Sequence, residues 1–463
     1  MQVDLFIKNG LTYSEGAFHP LSIAVKGEKI AFLCPWGIDV EAGKTIDATG
    51  KYVLPGMCDC HMHMRDPGYT AKEDFYHGTC AAAASGFTFV CPQPNTIPVP
   101  GSLETFMTQV NIGKANAIVD FNIIGGPLGY RDGSVDEISK AGTAWFKIFQ
   151  KVAAYQPYTT PASTLDTSEI FNAFKACAKN DHYCCVHPFD HYFYEATVQS
   201  CKDSGIEMNY NNVRKLVYSD EEMSGAACQL AFLAKKAEMK WYALHCWMPG
   251  YIDLVRMLKA HSGMSLVSSF EYMPSVNAPD YVYDVITGET YMTGHDCAPD
   301  YDKLWSAVRD GTIDMIGSDH CPHENSSYTA VGRFEVDSAG FGMLDWFGHL
   351  LLDHVNKGDL SLERLVEVIS VNFAKTFGFY PEKGSNLPGT DADFSIADMN
   401  HEWTINVKSP DEIYSKSKIS PYQGRKLKGK MTHTILRGRV IMENGIVDCE
   451  PGYGKYYIPI NRK

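Results

Sequence analysis

Short apolar runs separated by turn residues fill the first fifty positions, as in Leu5-Phe-Ile7, Leu21-Ser-Ile-Ala-Val25 and Gly27-Glu-Lys-Ile-Ala-Phe-Leu33. Runs of this length and punctuation predict β-strands. After Leu54-Pro-Gly56 the pattern changes. Apolar strands are expected at 87–91, 121–124, 144–149, 183–187, 242–245, 265–268 and 315–318, with helical stretches such as 168–179, 221–237 and 252–261 between them. Strand–helix alternation on this scale predicts a parallel α/β architecture, and seven or eight units favour a closed (β/α)₈ barrel over an open sheet. From about Asp391 strand texture returns, in Asp393-Phe-Ser-Ile-Ala397 and Thr434-Ile-Leu-Arg-Gly-Arg-Val-Ile-Met442. Asn444-Gly445 is a hairpin signal. The expected domains are a small β-sandwich from residues 1–52 and 389–450, a barrel over 53–388, and a tail over 451–463 that packs on a neighbour or stays loose.

Composition changes this picture only at the margins. With 463 residues, the chain is long enough for one large domain and a smaller one. The 41 basic and 55 acidic side chains leave a formal charge of −14, poorly suited to nucleic acid or an anionic membrane surface. No apolar run approaches the roughly 18 residues of a membrane span, and Asp4 and Lys8 interrupt the opening stretch, which reads as a strand and not a secretion signal. Fourteen cysteines scattered without a repeated CxxC spacing suggest reduced thiols and a cytoplasmic location.

Candidate chemistry gathers at the ends of the expected strands. Asp59-Cys-His-Met-His-Met-Arg65 follows an apolar run and a Pro-Gly turn. Residues two apart on a strand face the same side, so His61 and His63 can share one ion. Lys147 lies inside Trp145-Phe-Lys-Ile-Phe149, where a buried ammonium is costly. Either it is ion-paired, or it is deprotonated and takes up CO₂ as a carbamate, an anion able to bridge two metals. His187 closes Tyr183-Cys-Cys-Val-His187, His245 closes Trp241-Tyr-Ala-Leu-His245, and Asp319 follows Met315-Ile-Gly-Ser318. Each histidine alone reads more readily as a packed or paired side chain than as a ligand. Six metal-competent groups at separate strand ends read as a metal site.

The order HxH, Lys, His, His, Asp resembles the cyclic amidohydrolases: dihydroorotases, hydantoinases and allantoinases. The resemblance runs from Lys51-Tyr-Val-Leu-Pro-Gly56 to Tyr422-Gln-Gly-Arg-Lys-Leu-Lys-Gly429, and includes Asn372-Phe-Ala-Lys-Thr-Phe-Gly378 and Gly389-Thr-Asp-Ala-Asp-Phe394. It implies two divalent ions, zinc first, with manganese or iron as alternatives. His61, His63 and Asp319 would hold the more buried ion, His187 and His245 the second, and carbamylated Lys147 would bridge both. It also implies ring opening or closure of a small heterocyclic amide, with Asp319 carrying the proton, in a homodimer or homotetramer.

Three features resemble dihydroorotase in particular. Arg65 completes HxHxR, Asn95 sits in Pro94-Asn95-Thr96, and His323 completes Ser318-Asp-His-Cys-Pro-His323. There the matching Arg and Asn hold a substrate carboxylate, a geometry that suits a guanidinium fork. The alternative for Arg65 is a pairing with Asp66 or Glu73. Gly340, in Gly340-Phe-Gly-Met343, would offer backbone groups to the ring, and Tyr155 a hydroxyl. Departures pull the other way. Ser269-Phe-Glu-Tyr-Met-Pro-Ser275 lacks a Pro-His pair, Cys297-Ala-Pro-Asp300 replaces a Pro-Pro-Leu-Arg-like element, and Cys246-Trp247 stands where small hydroxyl residues are usual. Hydantoin, allantoin and oxidised purine rings therefore stay open as substrates. A single-metal deaminase or a non-catalytic dihydropyrimidinase-like scaffold is the competing class; Lys147 argues against the first and the complete ligand set against the second.

Overall fold

A computed structural model describes residues 2–150, 162–208, 210–272, 281–292, 300–328 and 340–462. Tyr155, residues 273–275 of the first departure and 297–299 of the second lie outside the described residues.

Eight parallel strands form the barrel: β1 (Met57–Met62), β2 (Phe87–Pro92), β3 (Asp120–Phe121), β4 (Phe146–Phe149), β5 (Tyr183–His187), β6 (Lys240–Ala243), β7 (Leu266–Glu271) and β8 (Met315–Gly317). Strands β1 to β3 form one hydrogen-bonded run and β4 to β8 another. Parallel bridges Gly125–Phe146 and Met62–His320 close the ring. The mixed α/β barrel class expected from the hydrophobic pattern is the class observed. Helices start where local chemistry offers a cap. The Asp166 and Ser219 side chains accept backbone N–H bonds at the heads of Thr167–Lys179 and Asp220–Lys236, and Pro249 opens Pro249–His261.

Strand limits moved for physical reasons. β6 stops at Ala243, two residues before His245, because His245 adopts φ +59° and cannot continue a strand. β7 runs on to Glu271, past the expected end at Ser268. β3 is short, and its Phe121 forms a parallel bridge with Tyr456 of the C-terminal segment. That segment docks on its own chain: Phe121 exchanges backbone bonds with Lys455 and Tyr457, and Arg462 donates to the carbonyls of Asn180 and Asp181.

A separate ten-stranded sheet takes strands from both chain ends, with Tyr52–Pro55 pairing antiparallel to the start of Phe394–Thr404. Asn444 and Gly445, both at positive φ, turn Arg439–Glu443 back onto Ile446–Val447. We propose domain limits of 1–52 with 389–450, 53–388, and 451–463, with the strand Tyr52–Pro55 leading from the sheet into the barrel.

The barrel interior is filled by alternate strand residues. Phe89, Cys91, Trp145, Cys185, Tyr242 and Met315 pack as one buried cluster. Two residues further along β4 and β5, the same inward register reaches Lys147 and His187.

Candidate metal centre

The seam between β1 and β8 brings together groups some 250 positions apart. Asp59 is fully buried, and its carboxylate accepts bonds from the backbone N–H and hydroxyl of Ser318 and from the His61 N–H. The Asp319 N–H donates to the His61 carbonyl at 2.8 Å, and the His63 N–H to the His320 carbonyl at 2.7 Å. On this frame Asp319 Oδ1 lies 3.0 Å from His63 Nε2 and 3.5 Å from His61 Nε2. The His61 and His245 rings are 5.0 Å apart between centroids, and those of His245 and His187 4.6 Å. His61, His245 and Asp319 present donor atoms close enough to hold one ion, as do His63, Asp319 and Cys321.

Lys147 completes the group from β4. Its side chain is wholly buried, and its ammonium has no hydrogen-bond partner among the described residues. Its Nζ lies 5.0 Å from the centroid of the Phe149 ring. Burial lowers the Lys147 pKa, with Cys185, Glu271 and Asp319 opposing the shift. A neutral amine is thereby favoured relative to water.

The remaining titrations follow from burial and neighbours. Burial holds His61 down at about 4, against the pull of Asp319 and Glu271. It also disfavours charge on His63, but Cys321 and Asp319 lift that imidazole to about 9. Burial would raise Asp319, yet His61, His63 and His245 hold it well below the usual carboxylate range. Arg65 (φ +60°), His245 (φ +59°) and Asp319 (φ +47°) all sit in the left-handed region. Three such non-glycine residues just beyond strand ends mark a site whose surroundings over-determine the backbone.

The other expected residues line the same end of the barrel. Asn95 is buried and its Oδ1 lies 2.6 Å from His63 Nδ1, while its Nδ2 has no partner among the described residues. Arg65 is buried, with Nη2 2.7 Å from Cys321 Sγ and with Nε and Nη1 unpartnered among the described residues. Glu73 bonds His320 and Ser415 instead of Arg65. His323 is buried. A Cβ added to Gly340 would lie 2.2 Å from the Cys321 carbonyl oxygen, so the close approach of these two segments requires glycine. The Trp247 ring stands 5.0 Å from that of His245.

Two site residues escaped the sequence reading. Glu271, fully buried, has Oε2 2.8 Å from His245 Nδ1 and Oε1 3.5 Å from His61 Nδ1. A strand expected to end at Ser268 leaves Glu271 outside it; continuing the alternation through Ser269 to Glu271 brings it to the inward face. Gln93 is buried with neither amide atom partnered among the described residues, one inward step beyond Cys91 on β2. An uncharged side chain between two prolines carries no metal signal in the sequence.

Comparison with known proteins agrees with this geometry. Residues 52–441 match the model of the Amidohydrolase family. The chain is 29% identical over 468 residues to an L-hydantoinase of Paenarthrobacter aurescens, covering 98% of this chain and 97% of that protein. It is 30% identical over 415 residues to a dihydroorotase of Elusimicrobium minutum, covering 88% and 90%. The solved structure of the L-hydantoinase from Arthrobacter aurescens superposes with a TM-score of 0.86 at 28% identity, over 98% of this chain and 99% of that one. Carrying a family match over most of its length on the barrel and buried cluster that such a match entails, the chain belongs to the amidohydrolase family.

Proposed function

We propose that this protein is a hydrolase that opens or closes the ring of a small cyclic amide or imide, using two divalent ions. His61, His63 and Asp319 would hold one ion and His187 and His245 the other, with Lys147, as a carbamate, supplying the shared anionic group. The single observation that carries the reading is the Lys147 side chain, wholly buried and without a hydrogen-bond partner among the described residues, beside a cluster of histidines and Asp319. An ammonium so placed is several kcal/mol out of balance. A neutral amine that adds CO₂ and releases a proton becomes an anion with two donor oxygens, which resolves the imbalance. The donor set of imidazoles and oxygens suits zinc, with manganese or iron as alternatives. Bound there, such ions supply Lewis acidity and activate water at neutral pH.

The chain's own groups supply the rest. Asp319, ionised and buried, accepts a proton from the attacking water and delivers it to the departing ring nitrogen. Arg65 turns its unpaired donors to a carboxylate or carboxylate-like edge of the substrate, with the Asn95 amide beside it. His323 and the backbone at Gly340 hold the ring. A carboxylated ring of the dihydroorotate type is the favoured substrate on Arg65. A neutral hydantoin-type ring is the second reading, favoured by Trp247 beside His245 and by the resemblance to the L-hydantoinases.

No helix among the described residues is long and apolar enough to cross a membrane. A cytoplasmic location is proposed on the free thiols of the described cysteines. A homodimer or homotetramer is proposed on the resemblance to the cyclic amidohydrolases.

The test is a panel of dihydroorotate, hydantoins, allantoin, dihydropyrimidines and oxidised purines, assayed in both directions with metal-replete protein. It is paired with metal analysis and with labelled CO₂ to detect a carbamate. Two ions per chain, a carbamate and turnover of at least one ring are expected. One ion per chain and no carbamate would indicate a deaminase; two ions without turnover of any ring would indicate a scaffold.

A further inference from the structure

Glu271 ends β7 with its carboxylate sealed from solvent. Its two oxygens divide between two histidines from different strands. Oε2 lies 2.8 Å from His245 Nδ1 and accepts the His245 backbone N–H at 2.7 Å. Oε1 accepts the Ser269 hydroxyl at 2.6 Å and lies 3.5 Å from His61 Nδ1. Neither ring contact is a straight hydrogen bond, but neither Nδ1 has another hydrogen-bond partner among the described residues. The reach to His61 crosses β8. Glu271 pairs in register with Gly317, and a Cβ on Gly317 would fall 2.9 Å from the His61 Cβ. The missing side chain on β8 thus leaves room for a β7 carboxylate to face a β1 imidazole.

A carboxylate against Nδ1 holds the proton on that nitrogen and leaves the Nε2 lone pair for a ligand. Nε2 is the His61 atom that faces Asp319. We infer that Glu271 is a positioning residue that orients one histidine of each ion's set, His61 and His245, and so couples the two ion sites through one carboxylate. This rests on the reading of the cluster as a two-ion centre. Ser269, whose hydroxyl holds Oε1, supports the arrangement from the same strand face.

The test uses the full chain loaded with Co²⁺ alone. Ions per chain, release into a chelator and the visible Co²⁺ spectrum are compared for wild type, Glu271→Gln, Glu271→Asp and Ser269→Ala. Glu271→Gln should weaken Co²⁺ binding about 10- to 100-fold, speed both phases of release and alter the spectrum. Glu271→Asp should recover part of each, and Ser269→Ala should move them in the same direction by less. Wild-type release and spectrum in Glu271→Gln would overturn the inference, and a change in only one release phase would overturn the coupling. Should Glu271→Gln not fold, the Asp and Ser269 variants decide on the same readouts. Wild-type protein that takes up no Co²⁺ would instead sink the two-ion reading itself, a failure distinct from that of Glu271.

Discussion

Two buried ionic clusters sit at opposite ends of the barrel strands, and they are built differently. At the N-terminal end of β3, the Lys383 ammonium lies 2.6 Å from Asp120, 3.0 Å from Asp391 and 2.6 Å from Asp393. Arg437 pairs with Asp120, and Lys29 reaches Asp391 from the surface at 2.8 Å. Three carboxylates meet three cations, and the cluster ties the barrel, the ten-stranded sheet and the C-terminal segment together. Its three aspartates present oxygens close enough for a metal ion, yet Lys383 already contacts all three. At the C-terminal ends of the strands, the Lys147 ammonium, two nitrogens of Arg65 and the whole Gln93 amide are buried without partners among the described residues. Buried charge that is fully compensated reads as structural, whereas buried polar groups left without partners call for an explanation, and a bound ligand is the one proposed here.

That contrast can be broken at either end. The largest effect is expected for Lys147→Met, which should lower turnover by at least ~10⁴-fold, about 5 kcal/mol of lost transition-state stabilisation. The metal-free protein should melt no lower than wild type, because a buried amine without a hydrogen-bond partner has been replaced by an apolar side chain. A fall in its melting temperature comparable to that of a Lys383 variant would erase the distinction between the clusters. Asp319→Asn should lower kcat about 10²- to 10⁴-fold with both ions retained by metal analysis; near-normal turnover would remove the proton-carrying role. Lys383→Met strands carboxylates in the interior and should destabilise the fold by about 3–5 kcal/mol in denaturant titration, while folded molecules keep their activity. The smallest effect is expected for Arg65→Met. It should raise KM for a carboxylated ring by about 1.5–3 kcal/mol, roughly 10- to 100-fold, and leave neutral hydantoins nearly unchanged. Equal effects on both ring classes would release Arg65 from its assigned contact.

The two clusters also differed in how far they could be read in advance. The ligand-type residues at the C-terminal ends were legible because each closes an apolar run, as His187 closes β5 over the very residues expected. Glu271 was not, since one misjudged strand end hid its inward register. The Lys383 cluster left no trace in the pattern: its partners lie 263 and 10 positions away, a separation no local periodicity reports. The docking of Tyr456 on Phe121 was invisible for the same reason.

Apolar alternation, caps and turn residues act within a few positions of themselves, so the barrel, its sheet partner and the residue types at each strand end follow from short stretches of chain. Which imidazole faces which carboxylate, and which charges are left unmatched, depended on ring closure. Closing β8 onto β1 set Asp319 against His61 and His63, left Lys147 without a hydrogen-bond partner among the described residues, and passed Glu271 across Gly317. Side-chain meetings of that kind depend on angles and distances summed over the whole barrel, and no single segment encodes them.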